Sequence, residues 1–253
     1  MLHQASELIT YQLHATDGDI GKITDLYFDD KFWALRYFVV DTGKWLPGKR
    51  VLLSPVSIES IDIPSQTIYM NLTKEQIKQS PDMKTERPVS REHERETARF
   101  FGWHYYWAGP YVWGSQPTPK PLMEEVQEHA PDPMAEEHNS TLRSMTELTG
   151  TFSSYSIAAA DGDIGHTEGF IIEDDAWRIR YVVINTKQLL PGKNVLISPE
   201  WITEISWSDR HVYVDLTKHK IKNAPGYNPR EGIQPEYEEE LHNYFDKPRY
   251  WEN

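Results

Sequence analysis

Two pairs of aspartates are the residues best placed, by type and spacing, to bind a cation. Asp17 and Asp19 flank one glycine, and Asp161 and Asp163 flank another. Carboxylates are hard ligands, but a calcium loop of the EF-hand type needs further oxygen ligands and a distal glutamate that neither stretch supplies. Asp-Gly also predicts a tight turn, because glycine accepts a positive φ and aspartate bonds nearby amides. We therefore interpret all four aspartates as turn residues first and as metal ligands second.

Adjacent carboxylates occur at two further places, where a general acid and a general base could stand together. These are Asp29-Asp30 and Asp174-Asp175. Neighbouring residues of a strand face opposite ways, so adjacent carboxylates do not converge on one substrate by themselves. We expect both pairs to lie at solvated hairpin tips.

Other catalytic signatures are missing from the sequence. The chain has no cysteine, and its 10 histidines show no metal-ligand spacing. No serine lies in a G-x-S-x-G nucleophile motif, and there is no G-x-x-x-x-G-K-[ST] phosphate loop. We expect no catalytic residue and no cofactor.

An Arg-Tyr pair that follows a tryptophan recurs in two strand-like stretches. The six residues are Trp33, Arg36, Tyr37, Trp177, Arg180 and Tyr181. An arginine inside an apolar strand either faces outwards or pairs with a carboxylate, and Asp41 is one choice for Arg36. Alternatively, the two sets meet across a pseudo-two-fold interface, since duplicated domains can mimic an isologous dimer. The sequence leaves these hypotheses open.

These motifs belong to a stretch that occurs twice. Residues 17–55 and 161–199 align without a gap at an offset of 161 − 17 = 144 residues. In each copy, about six short runs of β-branched and aromatic residues are separated by Gly and Pro turns. This pattern predicts an all-β fold with short helices, built as two small antiparallel β-barrels by internal duplication.

The repeat also sets the domain boundaries. Repeat 1 covers 1–84, and residues 85–143 hold a charged helix, an aromatic segment and a Pro/Glu-rich linker at 116–139. Repeat 2 covers 144–228, and residues 229–253 hold a second helix with an aromatic terminus. Possible i,i+3 ion pairs on the first helix predict that it is solvated.

The aromatic segment comprises residues 100–114, of which eight in fifteen are aromatic, Trp103 and Trp107 among them. It either packs across the barrel as an intramolecular clasp or forms an exposed patch for a protein partner or a membrane interface. Tyr250 and Trp251 stand at equivalent positions of the other copy. This equivalence and the acidic surroundings favour the clasp, while Trp103 and Trp107 remain interface candidates.

The charge of the chain limits its partners. Its formal net charge is −13 and its pI is near 5.2. An acidic protein is poorly suited to nucleic-acid phosphates and to anionic lipid surfaces. No stretch approaches the length of apolar sequence that spans a bilayer, and residues 1–19 lack the pattern of a signal peptide. We expect a cytoplasmic protein without a nucleic-acid partner or a transmembrane segment, and peripheral membrane association stays open.

The repeated block resembles the PRC-barrel family. Its matching residues are Gly18 to Gly21, Trp33, Arg36-Tyr37, Val39 to Thr42, Trp45 to Lys49 and Val51 to Pro55, with counterparts 144 residues later in which Asn185 and Leu189 replace Asp41 and Trp45. The family includes the cytoplasmic barrel of the photosynthetic reaction centre H subunit and a domain of RimM-type ribosome-maturation factors. The resemblance implies a β-barrel that serves as an assembly or docking module rather than an enzyme.

The expected function is therefore a non-enzymatic interaction module that docks, through an unknown protein partner, to a cytoplasmic or membrane-peripheral complex of the reaction-centre type. We expect the two barrels to pair with each other, and a homodimer is open. One alternative is an enzyme with a carboxylate-lined cleft between the barrels. The other is an adaptor in ribosome or RNA processing, which would need a basic face.

Overall fold

The computed structural model describes residues 1–83, 89–120, 141–150, 154–186 and 193–252. Most of the predicted linker, from residue 121 on, and the second Leu-Pro-Gly turn lie outside the described residues. The described part is mostly β-structure with short helices, and it divides into two compact units. The first unit comprises Met1, 3–145 and 173–178, and the second comprises Leu2, 146–172 and 179–253.

Short strands dominate the described residues. The strands are β1 (Leu2–Gln4), β2 (Gln12–Ala15), β3 (Gly18–Asp29), β4 (Ala34–Asp41), β5 (Arg50–Leu53), β6 (Ile58–Asp62), β7 (Thr67–Met70), β8 (Leu142–Ser144), β9 (Ser156–Ala159), β10 (Gly162–Glu173), β11 (Ile179–Asn185), β12 (Asn194–Ile197), β13 (Ile202–Ser206) and β14 (His211–Val214). The α-helices are α1 (Ala5–Leu8), α2 (Lys74–Gln79), α3 (Arg91–Phe101), α4 (Met145–Thr149), α5 (Lys218–Asn223) and α6 (Pro235–Phe245). Single 3-10 turns lie at Pro55–Ser57, Pro199–Trp201 and Tyr250–Glu252.

The two sheets share one strand order. The first runs β5-β4-β3-β2-β7-β6 and carries β8 on β3, and the second runs β12-β11-β10-β9-β14-β13 with β1 as its seventh strand. Neighbours on each path are antiparallel, except that β2 pairs with β7, and β9 with β14, in parallel. The pairings among the described residues leave both paths open at their ends. The structure therefore has two seven-stranded sheets, and the predicted closed barrels are not shown.

The strand β4 is an inner strand of the first sheet: it is buried from Ala34 to Val40 and pairs with both β3 and β5. This agrees with its run of aromatic and β-branched residues. The strand β3 can approach the end of β4 because Gly21 has no side chain. A Cβ at that position would lie 2.1 Å from the backbone oxygen of Asp41, and Gly165 has the same relation to Asn185 at 2.1 Å.

Candidate interaction site

The Asp-Gly turns are tied to the starts of short helices. Asp17 Oδ1 accepts a hydrogen bond from the backbone N–H of Lys74 at 2.8 Å, and Asp161 Oδ1 accepts one from Lys218 at 2.7 Å. These lysines begin α2 and α5, where free backbone N–H groups need acceptors. The other two candidates, Asp19 and Asp163, are exposed and face His14 and His211 at 3.7 and 3.9 Å. Over the described ranges, no group of three or more His, Asp or Glu could hold a metal ion.

The prediction that Asp29-Asp30 is a solvated tip is wrong for Asp29, which is 1% exposed. Asp29 Oδ2 accepts a hydrogen bond from Arg36 Nε at 2.8 Å and lies 2.6 Å from Arg36 Nη2. Its Oδ1 accepts hydrogen bonds from the backbone N–H groups of Lys31 and Phe32, two and three residues further along the chain. The carboxylate partner of Arg36 is therefore Asp29, whereas Asp41 is exposed and bonds the N–H of a turn glycine.

Arg36 is completely buried and lies among aromatic rings. Its guanidinium carbon is 4.0 Å from the ring centroid of Tyr106 and 4.6 Å from that of Trp113. A desolvated cation over an aromatic face is stabilised by about 2 kcal/mol. Both rings belong to the aromatic segment, so this segment lies directly against β4.

A second buried charge pair joins α3 to the aromatic segment. Tyr106 Oη donates to Glu94 Oε2 at 2.6 Å, and Arg91 Nη1 lies 3.0 Å from Tyr106 Oη and 3.2 Å from Glu94 Oε1. The side chains of Glu94 and Arg91 are 0% and 3% exposed. The prediction of a solvated helix is therefore wrong for this face of α3. Burial and the charge of Glu94 raise the pKa of Tyr37 well above its ordinary value, so Tyr37 stays a neutral donor.

Most rings of the aromatic segment are used in packing within the first unit. Trp103 is 7% exposed, and its Nε1 donates to Ser57 Oγ at 2.9 Å. Trp107 lies under the guanidinium of Arg91, at 4.3 Å from the ring centroid to Cζ. In contrast, Phe100 is 40% and Tyr111 is 53% exposed. Segment 100–114 thus combines a buried set of rings with two that face solvent.

The second unit repeats this arrangement at an offset of 144 residues. Tyr181 Oη and Tyr250 Oη both donate to Glu238 Oε1 at 2.8 Å. The guanidinium carbon of Arg180 lies 4.1 Å from the ring centroid of Tyr250. The equivalent residues are Tyr37 and Tyr181, Glu94 and Glu238, Tyr106 and Tyr250, and Arg36 and Arg180. We call each such set of four, with the helix and aromatic residues that carry it, a clasp.

The two tryptophans of the repeated motif lie in the first unit. Trp33 stacks on Phe28 with ring centroids 5.4 Å apart. Trp177 is 3% exposed, its ring lies edge-on to Phe38 at 5.4 Å, and its backbone oxygen accepts from the N–H of Leu35 at 2.8 Å. By contrast, the contacts described for Arg36 and Tyr37 lie in the first unit and those for Tyr181 in the second. Their meeting across a pseudo-two-fold interface stays a prediction.

Sequence reasoning missed the acidic members of both clasps. Glu94 and Glu238 lie in strongly charged helices, and the first of these was interpreted as solvated because of its possible i,i+3 ion pairs. The signal that could have found them is their shared offset of 238 − 94 = 144 residues, the same as for Tyr106 and Tyr250. An acid and a tyrosine that recur together mark a common contact more specifically than the charge of the helix does.

Comparison with known proteins finds a family match for one part of the chain. Residues 2–77 match the PRC-barrel domain, so this chain contains a PRC-barrel domain in its first unit. An uncharacterized protein of Deinococcus radiodurans is 32% identical to the chain over 80 residues. That alignment covers 31% of the chain and 28% of the relative, so the likeness concerns one part of each protein.

The helices of the described residues are all short. None of them combines the length and the apolar character needed to cross a membrane.

Proposed function

We propose that the chain is a non-enzymatic interaction module that docks to a cytoplasmic or membrane-peripheral protein complex. The observation that carries this proposal is that the buried carboxylates near the repeated motif are already engaged inside the protein. Asp29 is paired with Arg36, and Glu94 is bonded by Arg91 and Tyr106. An enzyme built on these carboxylates would need them to converge on an open cleft. The PRC-barrel match at residues 2–77 supports the same class of function.

Each clasp leaves two rings exposed, which offer a docking surface within its own unit. In the first unit Phe100 and Tyr111 are 40% and 53% exposed, and in the second unit Tyr244 and Trp251 are 36% and 40% exposed. Aromatic side chains dominate the binding energy of protein interfaces, whereas charged rims set the rate and the specificity of association. Because the net charge of the chain is −13, the partner we propose is a protein with an apolar pocket and a basic rim.

The test is affinity capture from the native host with the full chain and with the variant Phe100→Ser/Tyr111→Ser. Ile63→Ser is the matched control, because Ile63 is 42% exposed in the first unit but lies outside the aromatic segment. We expect a partner that binds the wild type and the control and is lost with the double variant, followed by at least tenfold weaker binding of the purified pair. Equal capture by all three proteins would refute this surface. Trp103 and Trp107 are poor targets for this experiment, because they pack inside the clasp.

The tandem duplication and the barrel shape are part of the same proposal. Support comes from the 144-residue offset, the common strand order and the two clasps. In the first sheet, β5 and β6 stand at opposite ends of the strand order but are joined by residues 54–57 alone. So short a connection favours a curved sheet whose two end strands lie close together. Pairing of the two copies predicts that separately expressed halves associate, and monomeric halves as stable as the full chain would contradict it.

A further inference from the structure

The strand β8 belongs to the first sheet, although its residues begin the second copy of the sequence. Strand β8 and helix α4 repeat the order of β1 and α1. In these segments Glu147 and Leu148 correspond to Glu7 and Leu8, at an offset of 147 − 7 = 140 residues. Nevertheless, β8 pairs with β3 within the first unit, and the second sheet carries β1. Each sheet thus takes its seventh strand from the other copy of the sequence.

The edge of β3 accepts an added strand because β2 covers only its first part. The strand β2 pairs with Gly18 to Lys22, whereas β8 pairs antiparallel with Tyr27 to Asp29. Beyond this pairing, the backbone N–H of Asp30 donates to the carbonyl oxygen of Thr141 at 3.1 Å. An extended segment that adds to a strand edge is bound through its main chain, and its side chains supply the specificity.

Three successive side chains of β8 are recognised by the first unit. Leu142 is buried. Arg143 Nε lies 2.9 Å from Asp30 Oδ2, and Ser144 Oγ donates a hydrogen bond to Asp25 Oδ2. Asp25 is buried as well, so the hydroxyl of the added strand serves a carboxylate that water does not reach. A segment that fits this edge therefore carries an apolar, a basic and a hydroxyl side chain in succession.

The same type of contact occurs a second time, at Asp174, the equivalent of Asp30 at the offset of 174 − 30 = 144 residues. The backbone N–H of Asp174 donates to the carbonyl oxygen of Met1 at 3.1 Å, and His3 Nε2 lies 2.8 Å from Asp174 Oδ2. His3 corresponds to Arg143, since 143 − 3 = 140. A basic side chain opposite an aspartate of the hairpin thus accompanies the seventh strand of both copies.

We propose that the β3 edge beside Asp30 is a strand-addition site that also accepts residues 141–145 of a second copy of this chain, so that two chains exchange these segments and form a dimer. A second copy offers the same leucine, arginine and serine, at the same spacing, as the segment that occupies the site in the structure. Exchange of an identical element is a low-cost route to a dimer, because the contacts in the site are unchanged. The exchange is independent of the docking function proposed above.

The balance between the closed chain and the exchanged dimer depends on concentration. A segment tethered to its own site competes at an effective concentration of about a millimolar. Wild-type chains are therefore closed monomers at micromolar concentration, and they exchange when the match within one chain is broken or when chains are held close together. The segment follows residues 116–139, and a stretch of that length extends over at most about 80 Å, which is enough to reach a second chain.

The test is a charge swap in two variants of the full chain. Asp30→Arg changes the site and Arg143→Asp changes the segment, so neither variant has a matched pair within its own chain or in its own homodimer. In a mixture, each site meets a segment of opposite charge from the other variant. The two are unfolded together in urea and refolded at about 10 µM, about a hundredfold below the effective concentration of a tethered segment. Native mass spectrometry then separates the dimers by mass, and we expect heterodimers at least about tenfold above the statistical proportion.

Two controls separate exchange from misfolding and from the change of charge. The double variant Asp30→Arg/Arg143→Asp restores the match within one chain, so we expect it to fold and to remain monomeric like the wild type. Glu75→Lys and Lys78→Glu, mixed in the same way, alter an exposed ion pair of α2 and should give no excess of heterodimer.

The proposal is overturned if the mixture of Asp30→Arg and Arg143→Asp gives no dimer, or gives heterodimers only in the statistical proportion. Should either charge reversal prevent folding, Asp30→Asn and Arg143→Gln replace them. In that mixture one of the two sites regains its charged pair, and we expect heterodimers about threefold above the statistical proportion. The absence of any excess refutes strand exchange in this experiment as well.

Discussion

Replacing Arg36 with methionine tests whether the first clasp is built around a buried ion pair. Methionine keeps most of the apolar volume, so the cavity left behind is small. The substitution removes the contacts of Nε and Nη2 with Asp29 at 2.8 and 2.6 Å and leaves a carboxylate that is 1% exposed without its counter-ion. Removal of one partner from a buried pair costs about 3–5 kcal/mol. The contacts of the guanidinium with two aromatic rings are also lost, although a methionine sulfur partly replaces them.

A double-mutant cycle separates the ion pair from the loss of packing. We expect Arg36→Met to cost about 4 kcal/mol, and Arg36→Met combined with Asp29→Asn to cost less than the sum of the single variants by about 2 kcal/mol. Lys78→Met is the control, because the Lys78–Glu75 pair is 58% and 61% exposed and spans 3.6 Å. An exposed pair of this kind contributes about 0.5 kcal/mol or less.

The assay is urea unfolding, followed by circular dichroism and by hydrogen exchange of the β4 amides, which report on the first unit. Exchange is included because two units need not unfold in one transition. A cost below about 1 kcal/mol for Arg36→Met, together with a coupling energy near zero, would show that the pair is not the centre of the clasp.

Three further substitutions test other parts of the structure. Gly165→Ala is expected to destabilise the second unit by about 3 kcal/mol, because the new Cβ would lie 2.1 Å from the backbone oxygen of Asn185. The control is Gly226→Ala, whose Cβ would lie 3.7 Å from the nearest side-chain atom. We expect this control to change thermal stability by less than about 1 kcal/mol. Asp30→Asn removes a carboxyl whose pKa is raised by burial despite its arginine partner. Because this pKa is raised in the folded state, the wild type loses stability relative to the variant as the pH rises from 3 to 7, about the range in which carboxyls titrate. Denaturant unfolding across that range measures whether the stability difference changes in this direction. Ser57→Ala leaves the buried indole N–H of Trp103 without its acceptor, so we expect a loss of about 1–2 kcal/mol in the same assay, and an unchanged midpoint would contradict it.

The strands and turns could be predicted because they depend on local patterns. The apolar run of β4 and the glycines at the starts of β3 and β10 can be interpreted from their sequence neighbours alone. The burial of Asp29 could not be predicted in this way. A carboxylate is buried in a core only where charged or hydrogen-bonding partners lie beside it. The partner of Asp29 is Arg36 on the next strand. The rings that cover the guanidinium of Arg36 are about 70 or more residues further along the chain.

The same reason explains why the charged helices were misinterpreted. Composition treats Arg91 and Glu94 as surface residues, which is correct for most charged residues. Their burial depends on Tyr106, and that of Glu238 depends on Tyr181, which is 57 residues away. Only tertiary contacts satisfy such groups, and a single sequence shows them solely through coincidences such as the common offset.

The residues that the two clasps share indicate which side chains remain available to bind a partner. Each copy has a tyrosine on an inner strand, a glutamate on the 11-residue helix and a tyrosine after that helix. Their side chains pack together where the helix meets the sheet. Residues used in this way are unavailable to a partner without unfolding the clasp. In the interaction module that we propose, recognition would then come from side chains at the outer edge of each clasp, such as Tyr111 in the first unit and Trp251 in the second.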